Sequence, residues 1–170
     1  MRLRQFLAVS SLVLGQAATA SEAAPPPPSC TRAEQRQFDF WIGEWKVYNG
    51  DRLAGQNSIR AIEGGCGLAE SWRGARGSSG VSYNAWNAGD GRWHQFWISA
   101  QGYSLVLSGE FRDGAMRMSG VQPHPQTGAP QQQRITWTPN PDGSVRQLWE
   151  ASDDGKTWQV VFDGRYLRER

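Results

Sequence analysis

Residues 86–97, WNAGDGRWHQFW, have the pattern of a β-hairpin. The turn GDG at 89–91 separates two runs in which apolar and polar residues alternate, and a period of two is typical of strands. Asp-Gly favours a tight turn because these residues tolerate a positive φ. Residues 137–149, WTPNPDGSVRQLW, repeat the arrangement. In both hairpins a Gln follows the turn Gly by four residues, and a Trp follows that Gln by two.

Similar alternating runs, separated by turn residues, cover most of the chain. We expect an all-β fold of ten strands, at about 44–49, 56–63, 66–73, 79–87, 92–99, 103–112, 115–121, 132–138, 145–152 and 157–167. Short strands joined by short turns predict a single antiparallel up-and-down barrel, which has no free edges. A sandwich of two sheets is the alternative, although it more often needs longer crossovers. One long polar loop is expected at 122–131.

The N-terminus has the pattern of a signal peptide. Arg2 and Arg4 precede an apolar run at 6–14, and ATA at 18–20 fits a cleavage site. The run is shorter than the roughly 20 apolar residues that span a bilayer. We therefore expect residues 1–20 to be removed and the protein to be periplasmic or secreted. Contact with a membrane is expected only through the signal peptide before cleavage.

The mature chain is predicted to consist of a tether and one domain. Residues 21–30, SEAAPPPPSC, form a proline-rich tether, since proline cannot join the interior of a sheet. Residues 31–170 are long enough for one barrel domain with a hydrophobic core. A short helical turn is expected at its start, with Thr31 as N-cap and Glu34 three residues later. Nine Trp and twenty Gly suit strands with tight turns.

The charge of the mature chain excludes one class of partner. Without Arg2 and Arg4, 16 basic residues remain beside 16 acidic ones, and they are scattered along the sequence. Binding of nucleic acid would need a clustered basic face. We therefore expect no nucleic-acid partner.

Cys30 and Cys66 are the two cysteines of the chain. In an exported protein such a pair predicts a disulfide. A metal site is the weaker alternative, because the two Cys and two His do not have the spacing of metal ligands. No metal is expected.

The repeated hairpins also provide the candidate binding residues. Gln95 shares a strand face with Trp97, and Gln147 shares one with Trp149. An amide on an aromatic stripe needs a hydrogen-bond partner, because an unpaired buried amide costs about 1–3 kcal/mol. One interpretation is that both Gln side chains bind a ligand between walls formed by Trp97, Trp137 and Trp149. The other is that they bond to neighbouring protein groups, or that this face is outside.

An enzyme is a further interpretation. Glu44, Glu70 and Glu150 fall within predicted strands, and a carboxylate inside a Trp-rich barrel could act as an acid or base. The alternative is that these carboxylates pair with arginines on neighbouring strands. The sequence has no G-x-S-x-G motif, and we interpret His94 and His124 as surface or loop residues. No catalytic residue is therefore assigned.

The stretch FDFWIGEW at 38–45 resembles the opening of a lipocalin or calycin barrel. With the GC pair at 65–66, the two Gln-x-Trp hairpins and the closing FDGRY, it resembles an exported bacterial family of uncharacterised lipocalin-like domains. The resemblance implies that Gly43 and Trp45 are structural. It also implies that Trp45 lies at the closed end of the barrel, packed against Arg165 or Arg168 from the last strand.

The nitrobindin type of barrel is a second resemblance, and it holds haem through a histidine near the C-terminus. This chain has no His after His124, so we expect no cofactor. The resulting hypothesis is an exported barrel that binds a small, partly apolar molecule of unknown identity. An enzyme with a cavity carboxylate and a cell-envelope interaction module without a ligand are the alternatives.

Overall fold

The computed structural model describes residues 30–169, which form ten antiparallel strands closed into a single barrel. Each strand pairs with its neighbours in chain order, and β10 pairs with β1. The strands are β1 (Gly43–Asn49), β2 (Arg52–Ile62), β3 (Gly67–Gly74), β4 (Ser79–Asn87), β5 (Arg92–Ser99), β6 (Ser104–Arg112), β7 (Ala115–Pro123), β8 (Pro130–Pro139), β9 (Val145–Ser152) and β10 (Gln159–Arg168). The predicted up-and-down barrel is confirmed. The predicted signal peptide and, apart from Cys30, the predicted tether lie outside the described residues.

Short 3-10 helices flank the first strands: η1 (Ala33–Arg36), η2 (Asp39–Trp41) and η3 (Glu63–Gly65). The predicted helical turn is therefore present, but its N-cap is Arg32 rather than Thr31. The side chain of Gln35, the third residue of the turn, accepts a hydrogen bond from the backbone N–H of Arg32 at 3.0 Å, as the N3 residue of a capping box does. Among residues 30–169, no helix combines the length and apolar character needed to cross a bilayer.

Two strands are longer than the sequence pattern suggested. β2 begins at Arg52 because a bulge at Val47 and Tyr48 lets the pairing with β1 continue where the alternation is broken. β8 begins at Pro130, opposite Pro123 at the end of β7. Proline is tolerated at a strand end because no ladder hydrogen bond from its nitrogen is required. The long loop therefore shrinks to residues 124–129.

An aromatic plug fills the end of the barrel where β1 begins and β10 ends. We define the plug as Phe38, Trp41, Trp45, Trp93 and Trp137, each at most 1 % exposed. Phe38 lies at its centre: its ring stacks on Trp41 at a centroid distance of 4.9 Å and meets Trp137 edge-on at 5.3 Å. The N-terminal segment thus supplies the side chains that close this end of the barrel, and their burial is a large part of the core.

Gly43, Trp45 and Arg168 form one structural unit at the closed end. The guanidinium of Arg168 lies 4.4 Å from the centroid of the Trp45 ring and donates a hydrogen bond to the carbonyl of Ile42 at 2.9 Å. Gly43 has a φ of +147°, and a β-carbon there would run into the Arg168 guanidinium. Arg165 instead forms an ion pair with Asp142 at the surface. Of the two predicted partners of Trp45, Arg168 is the one that packs on it.

The disulfide between Cys30 and Cys66 confirms the predicted pairing. It joins residues 36 positions apart and ties the N-terminal segment to the start of β3. Arg36 adds a hydrogen bond to the carbonyl of Gly65 at 3.2 Å. Both links hold the plug-bearing segment against the closed end of the barrel.

Candidate functional site

The barrel end opposite the plug is open and contains a cavity of about 540 Å³. Its rim is formed by the turns that follow the odd-numbered strands. Its walls are mainly aromatic and aliphatic side chains that point inward: Trp72, Trp97, Trp149, Phe162, Leu105 and Ile135. The barrel is thus packed solid at one end and hollow at the other.

Glycines on the barrel wall explain why the aromatic rings leave this space. The Trp72 ring lies against Gly55 of β2, and a β-carbon on Gly55 would be 2.7 Å from it. The Trp97 ring lies against Gly80 of β4 in the same way. In both cases the Trp pairs across the strands with the residue two positions after the glycine. Its ring therefore reaches the glycine diagonally and packs against a backbone that carries no side chain. The rings therefore lie flat on the wall, and the lumen stays open.

A layer of hydrogen-bonded polar side chains separates the cavity from the plug. We call it the polar layer; it comprises Gln95, Asn84, Ser82, Glu70, Asn57, Tyr166 and Gln147. On one side, Gln95 donates to Asn84 at 2.8 Å, Asn84 donates to Ser82 at 2.9 Å, and Ser82 donates to Glu70 at 2.6 Å. These three hydrogen bonds form a chain that ends at the carboxylate, and Asn84 also donates to the carbonyl of Leu68 at 3.4 Å.

On the other side of the layer, Asn57 connects Glu70 to β10. Its amide nitrogen donates to the second oxygen of Glu70 at 2.8 Å and to the hydroxyl of Tyr166 at 3.2 Å. Tyr166 in turn donates to the side-chain oxygen of Gln147. The amide oxygen of Asn57 is buried and has no partner among the described residues.

Glu70 is the buried charge-bearing group of the layer. It is 7 % exposed, and none of the ion pairs within residues 30–169 includes it. Burial raises the pKa of its carboxyl, while the hydrogen bonds from Ser82 and Asn57 oppose that rise. The pKa of Tyr166 is raised well above its ordinary value, first by burial and then by the nearby Glu70 charge. Glu70 and Tyr166 therefore keep their protons to a higher pH than the same groups do in water.

The other two carboxylates proposed from the sequence, Glu44 and Glu150, lie outside the cavity. Glu150 makes a two-point ion pair with Arg134 at 2.7 and 2.9 Å, and Glu44 is exposed and accepts a hydrogen bond from Ser58. Pairing with a strand arginine thus describes Glu150. Glu70 differs because its neighbours are neutral.

Four of the five predicted binding residues line the cavity: Gln95, Trp97, Gln147 and Trp149. Both Gln side chains also bond to neighbouring protein groups, Gln95 to Asn84 and Gln147 to Tyr166, and their binding of a ligand stays a prediction. Trp137 does not line the cavity. It lies in the plug, because it pairs with Gln147, which is two residues nearer the closed-end turn than Trp149, and its ring packs against Phe38.

The sequence reasoning missed Trp72, Phe162 and Tyr166 as cavity residues, and it named Glu70 without separating it from the other carboxylates. Glu70 and Trp72 lie on the same face of β3, and this alternation could have predicted that both point into the barrel. The glycines paired diagonally with Trp residues were another signal. The link from Tyr166 of β10 through Asn57 of β2 to Glu70 of β3 had no local signal, since it depends on closure of the barrel.

The histidines do not reach the cavity. His94 lies on the outer face of β5, where its ring nitrogen is 2.8 Å from a carboxylate oxygen of Asp90. His124 begins the loop at 124–129, and its Nδ1 accepts hydrogen bonds from backbone N–H groups of that loop. Within residues 30–169, no three side chains of His, Cys, Asp or Glu converge to form a metal site. The chemistry available in the cavity is hydrogen bonding, aromatic contact and proton transfer.

Two arginines mark the mouth of the cavity. Arg52 at the start of β2 and Arg76 in the turn after β3 both line the mouth and are exposed. Neither guanidinium forms an ion pair with another described residue. The cavity therefore has a cationic rim and an acidic base.

No protein-family model and no curated protein matches this chain.

Proposed function

We propose that this protein is an exported barrel that binds a small, partly apolar molecule in the cavity at its open end. The observation that carries the proposal is a cavity of about 540 Å³ with three Trp walls and polar groups at its base. Ligand sites in proteins commonly have volumes of about 300–1,000 Å³ and combine apolar walls with a few polar groups.

The packing of the Trp72 and Trp97 rings supports a binding function over an interaction module with a filled core. A barrel that only needed a filled core would place larger side chains at positions 55 and 80. Gly55 and Gly80 instead receive the rings of Trp72 and Trp97, which keeps the lumen open. Small residues near the mouth, Ser79 and Ser99, have the same effect.

Export and the lipocalin-like assignment belong to the same proposal. The signal-peptide pattern at 1–20 and a disulfide between Cys30 and Cys66 both fit an oxidising compartment such as the periplasm. The Gly43, Trp45 and Arg168 unit supports a lipocalin-like domain with its ligand site at the opposite end.

Titration with N-phenyl-1-naphthylamine tests the binding function. This neutral probe is weakly fluorescent in water and bright in apolar surroundings. We expect saturable fluorescence at one probe per chain, with energy transfer from Trp. Absence of saturable binding by this probe and by related aromatic compounds would refute the proposed function.

Two matched tryptophan variants locate the probe. Trp149→Ala removes a cavity wall and is expected to weaken probe binding several-fold. Trp158→Ala removes a ring on the outer surface, where Arg134 covers it at 3.9 Å, and should leave probe binding unchanged. Gln147→Leu removes the acceptor of Tyr166 and a polar group at the base, so it should also weaken binding. If all three variants bind the probe with the affinity of the wild type, the probe binds outside the cavity.

Acid or base catalysis is the second candidate, and the burial of Glu70 beside Tyr166 favours it over other enzyme classes. A ligand that co-purifies with the protein decides between the two by mass spectrometry. A binding protein returns the ligand unchanged after incubation. An enzyme converts it, and Glu70→Gln should then accumulate the unconverted form.

A further inference from the structure

We infer that the ligand carries a protonated amine that binds the Glu70 carboxylate at the base of the cavity. The inference rests on the proposed binding function and specifies its ligand class as organic cations with an apolar or aromatic body. It follows from the charge, the hydrogen-bond inventory and the walls of the same cavity.

No residue in the described part of the chain forms an ion pair with the carboxylate at the base of the cavity. Glu70 lines the cavity and is 7 % exposed, and its hydrogen-bond partners Asn57 and Ser82 are neutral. A buried carboxylate without a cationic partner is costly, and an incoming cation offsets that cost. An anionic group at the same place would be repelled.

The polar layer also has unfilled acceptor positions at Glu70 and Asn57. An ionised carboxylate offers about four acceptor positions, and Glu70 receives one hydrogen bond on each oxygen. The amide oxygen of the neighbouring Asn57 is a further acceptor, buried and unpaired. A primary ammonium has three N–H donors and no acceptor, so it can donate to these unfilled acceptor positions.

The walls suit a cation with an apolar body. Trp72, Trp97 and Trp149 surround the space above Glu70, and the face of an indole ring attracts an ammonium group. Arg52 and Arg76 at the mouth repel a cation held there. Together these charges favour one orientation, with the ammonium inward and the rest of the molecule toward the mouth.

Three compounds with a phenyl body and different end groups test the inference by competition against N-phenyl-1-naphthylamine at pH 8. They are 2-phenylethylamine, 2-phenylethanol and 3-phenylpropanoate. In the wild type we expect the amine to bind roughly tenfold more tightly than the alcohol, because a charged hydrogen bond is stronger than a neutral one. The carboxylate should bind most weakly.

Glu70→Gln keeps the size of the side chain and removes its charge, so the preference for the amine should disappear. Glu44→Gln makes the same change on the outer face of the barrel and should retain it. Equal binding of amine and alcohol by the wild type overturns the inference, and so does an amine preference that survives in Glu70→Gln. The wild-type ranking tests the inference even if Glu70→Gln does not fold.

The failure of the inference differs from the failure of the proposed function. If N-phenyl-1-naphthylamine binds and the three compounds show no preference for the amine, only the inference is wrong. If neither the probe nor any of the three compounds binds, both are wrong.

Discussion

At the scale of single residues, Glu70 affects both the folding stability of the protein and the proposed binding site. Its carboxyl is buried among neutral partners, so folding costs more when it is ionised than when it is protonated. The same group that would attract a cationic ligand therefore destabilises the empty barrel. Such a conflict between stability and local chemistry is common where a site has a function.

Glu70→Gln is predicted to change the pH dependence of stability. The folded-state pKa of Glu70 lies above its ordinary value of 4.5, so the folded protein binds more protons than the unfolded one between these two values. Wild-type stability should therefore fall, relative to the variant, as pH rises from about 4.5 through the raised pKa. Urea denaturation of both proteins from pH 4 to 8 measures this difference. A constant difference across that range would contradict the burial of an uncompensated carboxyl.

Arg168 and Arg165 give a matched pair of substitutions at the closed end. Arg168→Ala removes the guanidinium over Trp45 and its hydrogen bond to Ile42, and we expect a loss of roughly 1–2 kcal/mol. Arg165→Ala removes only an exposed ion pair with Asp142 and should cost at most about 0.5 kcal/mol. Thermal or chemical denaturation checks both values. Equal losses would mean that the packing of Arg168 on Trp45 contributes little.

Parity along a strand predicted most of the site residues, but it could not predict their depth. Gln95, Trp97, Gln147 and Trp149 point inward as the alternation indicated. Trp137 also points inward, yet the strand register places it opposite Gln147, nearer the hairpin turn than Trp149. That turn belongs to the closed end, so Trp137 joins the plug.

At the scale of elements, the turns were the most predictable feature and the glycines within strands the least. Asp-Gly pairs placed four of the nine turns between consecutive strands correctly, because their backbone requirement is local. Gly55 and Gly80 are not turn residues, and their purpose is visible only when a Trp from the next strand is seen to lie on them. A bulge in the β1–β2 pair similarly hid the true start of β2.

Gly80→Ala is predicted to narrow the cavity. The new methyl group would meet the Trp97 ring and lie 2.7 Å from the carbonyl oxygen of Ile98, so the ring must move into the lumen. We expect weaker binding of N-phenyl-1-naphthylamine and a loss of about 1–3 kcal/mol in stability. Gly67→Ala is the control, because Gly67 is buried at the closed end and its nearest neighbour would be 3.0 Å away. Unchanged probe affinity in Gly80→Ala would show that Trp97 is not a wall of the binding site.

At the scale of the whole molecule, the barrel is divided into a plug, a polar layer and a cavity. The N-terminal segment, fixed by the Cys30–Cys66 disulfide, helps to close one end of the barrel and leaves the other end open. The alternation and turns of the sequence were sufficient to predict the barrel. The division of its interior was not predictable, because residues from distant strands meet only after closure.

The tryptophan indole N–H signals in a ¹H–¹⁵N NMR spectrum test the central claim most directly. The nine Trp residues report separately on the plug, the cavity and the outer surface once each signal is assigned by a Trp→Phe variant. On titration with N-phenyl-1-naphthylamine, the signals of Trp72, Trp97 and Trp149 should shift, while those of the four plug tryptophans should stay in place. Shifts confined to Trp158 on the outer surface and Trp86 at the closed end, or no shifts at all, would contradict a ligand site in the cavity.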